Sequence, residues 1–315
     1  MVPIIEVDHL TKRYRNATAN AVDEISFAVR GGEFFALLGP NGAGKTTTIS
    51  ILTTTLAPSS GSARIAGHDL RSESSKVRRD VGIIFQKPSL DVNLTAEENV
   101  RFHAILYGLY PWRPTFSLMS PLYRRDVREL ARLLGIEKEI FKPLRTFSGG
   151  MKRKLEIVRS LLHRPKVLFL DEPTAGLDVP SRRTLWEYLE RVRVEAGTTI
   201  FLTTHYIEEA EEADTICILD HGRIVSFGTP DQVKAHLVQH YVLVDAEDRV
   251  GLRRELERLQ VRYTEGARVR VDLDGRTTHA LLKAIDVPLT FVQTHVPSLE
   301  DAYLEIVSTE TEAAS

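Results

Sequence analysis

Short apolar runs alternate with amphipathic segments along the first two-thirds of the chain. The apolar runs are rich in β-branched and aromatic residues, which is typical of central strands in a covered parallel sheet. The segments between them carry apolar residues at helical spacing, and the alternation predicts an α/β domain. Strands are predicted over 33–39, 81–86, 166–173 and 198–205, helices over 45–54, 124–134, 150–163, 181–196 and 206–212, and a hairpin over 215–228.

The pattern changes after Gly228-Thr229-Pro230, where a second domain is predicted to begin. We place the boundary near residue 230, with one domain over 1–230 and a small C-terminal α+β domain over 231–315. The second domain is predicted to have strands over 241–246, 268–273 and 289–295, an additional strand over 261–264, and helices over 249–260, 277–285 and 298–307.

Composition narrows the class of protein. A length of 315 residues is enough for two domains, and 43% hydrophobic with 27% charged residues is ordinary for a globular chain. The net charge of −2 gives no reason to expect nucleic acid as a partner. Cys217 lies in an apolar run and is predicted to be a core residue, and a lone cysteine excludes an internal disulfide.

Two further observations predict a soluble chain. The N-terminus carries a charge by residue 6 and lacks the apolar stretch of a signal peptide. No window approaches the roughly 18 to 20 apolar residues that a membrane helix needs. Any membrane role is therefore expected to depend on a partner protein.

The strongest motif is GPNGAGKTT, which fits the pattern G-x-x-x-x-G-K-[ST] between a predicted strand and a predicted helix. Its glycines allow backbone N–H groups to surround a phosphate at a helix N-terminus. Lys45 is predicted to reach the β- and γ-phosphates of a nucleotide, and the Thr46 hydroxyl is predicted to bind Mg²⁺. The predicted nucleotide-binding residues of this loop are Gly39, Pro40, Asn41, Gly42, Ala43, Gly44, Lys45, Thr46 and Thr47.

Two carboxylates follow the apolar run VLFL at 167–170. Open α/β sheets bind ligands at the carboxyl ends of their strands, which is where these side chains are expected to lie. Asp171 is predicted to bind Mg²⁺, directly or through water, and Glu172 to act as the general base that polarises an attacking water. The alternative is an acidic pair that only caps the next helix.

Two other predicted strands also end in polar residues. The amide of Gln86 suits a Mg²⁺ ligand or a group that orients water, and the imidazole of His205 suits contact with a γ-phosphate. Tyr14 is predicted to stack on an adenine ring. The alternatives are ordinary polar strand ends for the first two residues and packing at a sheet edge for Tyr14.

The segment TFSGGMKRKLE begins a predicted helix with three cations at 152–154 in its first turn. The helix macrodipole disfavours cations at this end. Ser148 is predicted to be the N-cap, and the free N–H groups after Gly149 and Gly150 are predicted to form an anion site. The cations are interpreted as facing either a polyphosphate or solvent.

In their order along the chain, these motifs resemble the nucleotide-binding subunit of ATP-binding cassette (ABC) transporters. The similarity covers residues 4 to about 230. It implies a P-loop NTPase fold with a RecA-like core, an antiparallel β-subdomain and a helical signature subdomain. The motifs that carry it are the P-loop, which is GPNGAGKTT at 39–47, Gln86, the signature SGG at 148–150, LDE at 170–172, AGLD at 175–178 and His205.

The resemblance implies a homodimer in which two copies bind two ATP–Mg²⁺ head to tail. Ser148, Gly149 and Gly150 of one copy would contact the γ-phosphate at the P-loop of the other, and Asp178 would belong to the nucleotide site. A separate integral membrane subunit and a peripheral position on the cytoplasmic side of the cell membrane are also implied. The closing segment SLEDAYL at 298–304 is similar to daunorubicin-resistance-type exporter ATPases, which implies export of a drug, antibiotic or lipid-like molecule.

The chain departs from the family pattern at two places. Phe147 and Met151 replace the leucine and glutamine of the usual LSGGQ signature, so contacts made by a glutamine are lost. Residues 110–121 look like an insertion whose prolines argue against a regular helix. Trp112 and Phe116 within it are predicted to be exposed. The insertion is interpreted as a variable loop or as a contact with the membrane subunit.

Other classes of cassette ATPase remain as alternatives. An importer ATPase is one, and a polysaccharide exporter ATPase is another, although the 231–315 segment is short and helical for a glycan-binding β-sandwich. A non-transport cassette ATPase in DNA repair or translation is the third. Against it, the P-loop and the signature are only about 100 residues apart, and no heptad repeats lie between them.

Overall fold

The computed structural model describes residues 2–85, 89–175, 177–237, 241–273, 275–295, 298–301 and 303. The chain divides into two compact units, Met1–Phe227 and Gly228–Ser315. In chain order, the strands of the first unit are β1 (Ile5–Lys12), β2 (Val22–Val29), β3 (Phe34–Leu38), β4 (Ser60–Ile65), β5 (His68–Asp69), β6 (Val81–Ile84), β7 (Val167–Asp171), β8 (Thr199–Thr204), β9 (Thr215–Asp220) and β10 (Arg223–Gly228). Its helices are α1 (Lys45–Leu52), α2 (Ser74–Asp80), α3 (Ala96–Leu106), α4 (Pro121–Leu133), α5 (Gly149–Leu161), α6 (Val179–Ala196) and α7 (Ile207–Glu211).

A six-stranded sheet in the order β10-β9-β3-β8-β7-β6 forms the centre of the first unit. Strand β3 pairs in parallel with β8 and β9, and β7 pairs in parallel with β6 and β8. Every residue of β3, β7 and β8 is buried, as their apolar sequences require. The rings of Phe35 and Phe169 both pack on that of Phe201, at 4.9 and 5.1 Å between centroids. Because the three strands run parallel, their carboxyl ends lie at one edge of the sheet.

A second, antiparallel sheet in the order β2-β1-β4-β5 and a helical segment complete the unit. The helical segment contains α3, α4 and α5, with both α3 and α4 packed against α5. Helix α3 begins with a capping box between Thr95 and Glu98. The predicted architecture of a sheet core with an antiparallel β-subdomain and a helical subdomain is therefore confirmed.

The insertion at 110–121 contains a short 3₁₀ turn, Phe116–Leu118, and is otherwise irregular until its last residue. Trp112 is 60% exposed, as predicted. The predicted exposure of Phe116 is wrong, because its ring packs edge-on against Phe141 at 5.0 Å and Tyr123 at 6.0 Å. Helix α4 begins at Pro121, three residues before the predicted start, because Ser120 caps it with its side chain.

The second unit contains the helices α8 (Pro230–Leu237), α9 (Arg249–Arg258) and α10 (Thr278–Ala284). Its strands are β11 (Tyr241–Ala246), β12 (Tyr263–Thr264), β13 (Val269–Asp272) and β14 (Leu289–Thr294). They form an antiparallel sheet in the order β12-β13-β11-β14, and α9 and α10 connect its strands in a split βαβ arrangement. Of the predicted helix over 298–307, only residues 298–301 and 303 are described.

Across the described ranges, none of the helices combines the length and the apolar character that crossing a membrane requires.

Candidate active site

The P-loop connects the end of β3 to the start of α1, and its backbone needs glycine at several positions. Gly42 and Gly44 have φ values of +90° and +105°, which residues with a side chain rarely adopt. A Cβ atom on Gly44 would lie 2.4 Å from the carbonyl oxygen of Ala21. One on Gly39 would lie 2.3 Å from that of Leu219. The loop is therefore packed tightly against its neighbours and cannot widen to take a side chain at either position.

A cavity of about 190 Å³ opens in front of this loop. Gly44 occupies the N-cap position of α1, so no side chain competes for the first N–H groups of the helix. These N–H groups and the helix dipole favour an anion there. The residues that line the cavity are Ala21, Asn41, Gly42, Gly44, Lys45, Thr46, Thr47 and Glu172.

Lys45 is only 5% exposed, and its ammonium group is held over the loop. Its Nζ donates to the carbonyl oxygens of Gly39, at 2.6 Å, and Pro40, at 3.0 Å. Burial lowers the pKa of Lys45, while the nearby carboxylates of Glu172 and Asp171 raise it. The structure thus places a buried cation at the predicted phosphate site.

Asp171 ends β7 and is surrounded by oxygen atoms from two other elements. Its Oδ1 accepts from Thr203 Oγ1 at 2.5 Å and from Thr46 Oγ1 at 3.5 Å. Burial raises the pKa of this carboxyl, and the two hydroxyls act in the opposite direction. A carboxylate and a hydroxyl are hard oxygen ligands, so Asp171 and Thr46 fit the requirements of Mg²⁺. The third predicted ligand, Gln86, lies outside the described residues.

Glu172 and His205 follow the neighbouring strands β7 and β8 and meet across their ends. His205 Nδ1 lies 2.9 Å from Glu172 Oε1, and the Glu172 backbone N–H donates to Thr203 O at 3.0 Å. Glu172 is 9% exposed and has a φ of +46°, in the left-handed region. Such a conformation in a residue other than glycine is frequent at functional sites.

Tyr14 lies beside the P-loop, with 47% of its surface exposed. Its hydroxyl is 3.3 Å from Thr47 Oγ1, and Lys12 Nζ lies 5.7 Å from the centre of its ring. The ring is thus next to the loop and accessible, as stacking on a nucleobase would require.

The signature residues lie at the start of α5. Ser148 is exposed, and its Oγ accepts from Met151 N at 3.2 Å, which confirms an N-cap. Asp178 is exposed at the N-cap of α6, where it accepts from Ser181 N at 3.0 Å, and this hydrogen bonding lowers its pKa. As far as the described ranges show, neither residue lines the P-loop cavity of its own chain, and the same holds for Gly149 and Gly150.

The cations at 152–154 do not share one environment. Arg153 is 5% exposed and donates to backbone carbonyls inside the protein, so its interpretation as facing polyphosphate or solvent is wrong. Its position one helical turn before the buried Ile157 is the local signal of this.

Two more buried charges near the site were not predicted. Glu156 is fully buried and pairs with Arg153, with 3.1 Å between Oε2 and Nη1. Glu209, on α7 after His205, is 7% exposed and accepts a hydrogen bond from Thr174 Oγ1. Burial raises the pKa of Glu209. Glu156 is close to Arg153 in sequence, but its other partner Ser89 and the Thr174 partner of Glu209 are distant, so spacing does not reveal them.

Comparison with known proteins agrees with this geometry. The family model described as ABC transporter matches residues 22–175. The daunorubicin/doxorubicin resistance ATP-binding protein of Streptomyces peucetius is 41% identical over 256 residues, which are 81% of this chain and 74% of that protein. The doxorubicin resistance ATP-binding protein of Mycobacterium tuberculosis (strain CDC 1551 / Oshkosh) is 32% identical over 329 residues, covering 98% of this chain and 95% of that protein.

Among solved structures, a dimeric ATP-binding cassette in a post-hydrolysis state, bound to ADP and Pi, is similar with a TM-score of 0.63 and 27% identity. The similarity covers 71% of this chain and 98% of that cassette. A P-loop with a buried lysine, an acidic pair at the end of β7 and relatives of this kind lead to one conclusion. The chain belongs to the ABC transporter family, as one of its ATP-binding proteins that hydrolyse ATP.

Proposed function

We propose that this chain is the ATPase subunit of an exporter, in which two copies close head to tail around two ATP and drive a drug, antibiotic or lipid-like molecule through a separate membrane subunit. The observation that carries the proposal is the exposed, capped start of α5, which does not line the P-loop cavity of its own chain. A helix start of this kind suits a phosphate group of a nucleotide held by a second copy.

The P-loop and Lys45 bind the phosphates of ATP in this proposal. Backbone N–H groups at the start of α1 surround the β-phosphate, and the buried ammonium compensates the negative charge of the terminal phosphates. Tyr14 supports the adenine ring with its exposed face. Lys45 gains anionic partners when ATP binds, and their attraction offsets the cost of burying its charge.

Glu172 acts as the general base that takes a proton from the attacking water. The hydrogen bond to His205 fixes the direction of the carboxylate, and the imidazole is placed for contact with the γ-phosphate. Thr46 and Asp171 would hold Mg²⁺, with Gln86 as the third proposed ligand. Bound Mg²⁺ supplies positive charge against the phosphate oxygens.

The second copy completes the site with Ser148, Gly149 and Gly150. Their N–H groups and the α5 dipole add donors to the γ-phosphate that a single chain lacks. Asp178 begins α6 beside the signature, since Gly150 lies next to Ser181 of that helix. It belongs to the same composite site in this proposal.

The two proposed domains, 1–230 and 231–315, have different functions in this proposal. The first binds and hydrolyses ATP, and the second supports the dimer or regulates it. Trp112, exposed on the insertion, is proposed to contact the membrane subunit, which would hold the chain peripherally at the cytoplasmic side of the cell membrane.

Co-purification from detergent-solubilised membranes tests the proposal. We expect a hydrophobic multi-span protein to accompany the full chain, and the complex to hydrolyse ATP faster than the chain alone. Trp112→Ala should weaken the complex without changing the basal ATPase rate, and Val194→Ala, a change at a 69% exposed site on α6, serves as the control. Recovery of a DNA- or ribosome-bound complex with no membrane subunit would overturn the exporter assignment.

A further inference from the structure

Glu172 has an unusual backbone that something must hold in place. Its φ of +46° lies in the left-handed region, which a residue with a long side chain keeps only where its surroundings determine the conformation. The backbone N–H of Glu172 is held by Thr203 O at 3.0 Å. That bond holds the amide nitrogen of Glu172, and the carbonyl groups of its two neighbours, Asp171 and Pro173, are held as well.

Those two carbonyls share one partner, the guanidinium group of Arg153. Its Nη2 donates to Asp171 O at 3.3 Å, and its Nε donates to Pro173 O at 2.9 Å. One planar, buried group therefore holds the peptide that precedes Glu172 and the peptide that follows Pro173, whose ring restricts the backbone between them. A rigid fork of donors suits this task better than the single ammonium of a lysine.

Glu156 orients that guanidinium. Its Oε2 accepts from Arg153 Nη1 at 3.1 Å, and its Oε1 accepts from Ser89 N at 3.0 Å. Arg153 Nη1 also donates to Phe85 O at 2.5 Å. The arginine is thus fixed from three directions, and a buried charge with this many partners has little freedom to move.

We propose that Arg153 is a positioning residue for Glu172. By holding the carbonyls of Asp171 and Pro173, it keeps the backbone of Glu172 in its left-handed conformation and so keeps the carboxylate beside His205. The inference rests on the proposed role of Glu172 as general base.

The test compares Arg153→Gln with a matched control, Arg101→Gln. Arg101 is also buried, at 4% exposure, and it pairs with Glu97 of its own helix at 3.2 Å and donates to Arg113 O at 2.9 Å. Among the described residues, its partners include neither Glu172 nor His205. We expect Arg153→Gln to lower kcat about 100-fold with little change in ATP affinity, because a misplaced catalytic group costs about that much. Arg101→Gln should destabilise the fold similarly and lower kcat less than about 3-fold.

A second measurement separates positioning from a general loss of stability. In a Glu172→Gln background, Arg153→Gln should lower the residual kcat less than about 2-fold, because the group that it positions is already gone. If Arg153→Gln does not fold, Arg153→Lys replaces it, since lysine keeps the charge but cannot bridge both carbonyls.

Three results would overturn the inference: equal loss of kcat in the Arg101 control, an independent loss in the Glu172→Gln background, or a parallel fall in ATP affinity. Failure of the underlying assignment is visible separately. If Glu172→Gln alone hydrolyses ATP at the normal rate, Glu172 is not the base, and Arg153 has nothing to position.

Discussion

His205 Nδ1 lies 2.9 Å from Glu172 Oε1, and this contact joins the ends of two neighbouring strands beside the P-loop. The two residues are in contact although they are 33 positions apart in the sequence. It gives the acid a fixed direction, which the proposed general base needs in order to take a proton from a small, mobile water.

The first prediction concerns the acid of this pair. Glu172→Gln keeps the size and the hydrogen bond but removes the ability to take a proton, so ATP turnover should fall by about 10² to 10⁴ while ATP binding persists. Steady-state ATPase assays and equilibrium binding measure the two effects, and size exclusion with ATP should show a trapped dimer. Glu208→Gln, at an exposed position of α7, is the control. Hydrolysis at a near-normal rate in Glu172→Gln would remove Glu172 from the mechanism.

Ser148 supplies the second prediction. In Ser148→Arg a long side chain blocks the signature surface, so hydrolysis should be lost while each chain still binds ATP with an affinity within about twofold of normal. Ser120→Arg removes the equivalent cap on α4, which has the same 3.2 Å hydrogen bond, and both changes should cost about 1 kcal/mol of stability. Loss of ATP binding in Ser148→Arg would indicate damage to the fold instead of a dimer-dependent site.

The third prediction compares two glycines, one where a side chain would only strain the backbone and one in the P-loop where it would also meet a neighbouring atom. Gly32 and Gly44 both have positive φ values, +75° and +105°, but only Gly44 has a neighbour where a Cβ would lie. We expect Gly32→Ala to cost about 1 kcal/mol of unfolding free energy and Gly44→Ala about 2 to 4 kcal/mol, with weakened ATP binding. Urea denaturation and ATP titration provide the comparison. Equal losses of stability would show that the Ala21 carbonyl yields easily.

His103 gives a prediction about pH. Burial, together with the charges of Arg159 and His163, lowers its pKa from 6.5 to about 3. Between these values the unfolded chain binds the extra proton, so the unfolding free energy should fall as the pH falls through this window. From pH 7.5 to pH 5 the contribution is about 2 kcal/mol.

His103→Phe should remove that contribution, because phenylalanine does not titrate. The fold should tolerate the change, since no partner of His103 Nε2 is found in the described part of the chain and an aromatic ring can keep the contact with Tyr107. Thermal or urea unfolding of both proteins across this pH range gives the answer. Parallel stability curves for the variant and the original protein would contradict the assignment of a neutral, partly buried His103.

The sequence predicted the strands that carry the site because their signal is local. Four consecutive apolar residues before Asp171 and the run before His205 indicate buried strands without reference to any other segment. The start of α4 is less easily predicted. Ser120 followed by Pro121 is a recognisable helix start, but both residues lie in the segment interpreted as an insertion, so the helix is predicted from residue 124.

Arg153 shows what local patterns cannot reveal. Three cations in a row look alike in sequence, and only one of them is buried. Its environment is made by carbonyls of Phe85, Asp171 and Pro173, which the fold brings together from two other segments.

The strand order of the second unit is a similar case, since its strands are predicted from the sequence but their pairing depends on contacts between distant parts of the chain.

One turn of α5 separates Ser148 from Arg153. Ser148 begins the helix at an exposed surface, and Arg153 holds the backbone around Glu172 inside the same chain. In a head-to-tail dimer, this short rigid rod would link the nucleotide of one copy to the catalytic acid of the other. Occupation of one nucleotide site would then bias the catalytic acid of the other copy, so the ATPase rate should rise cooperatively with ATP concentration.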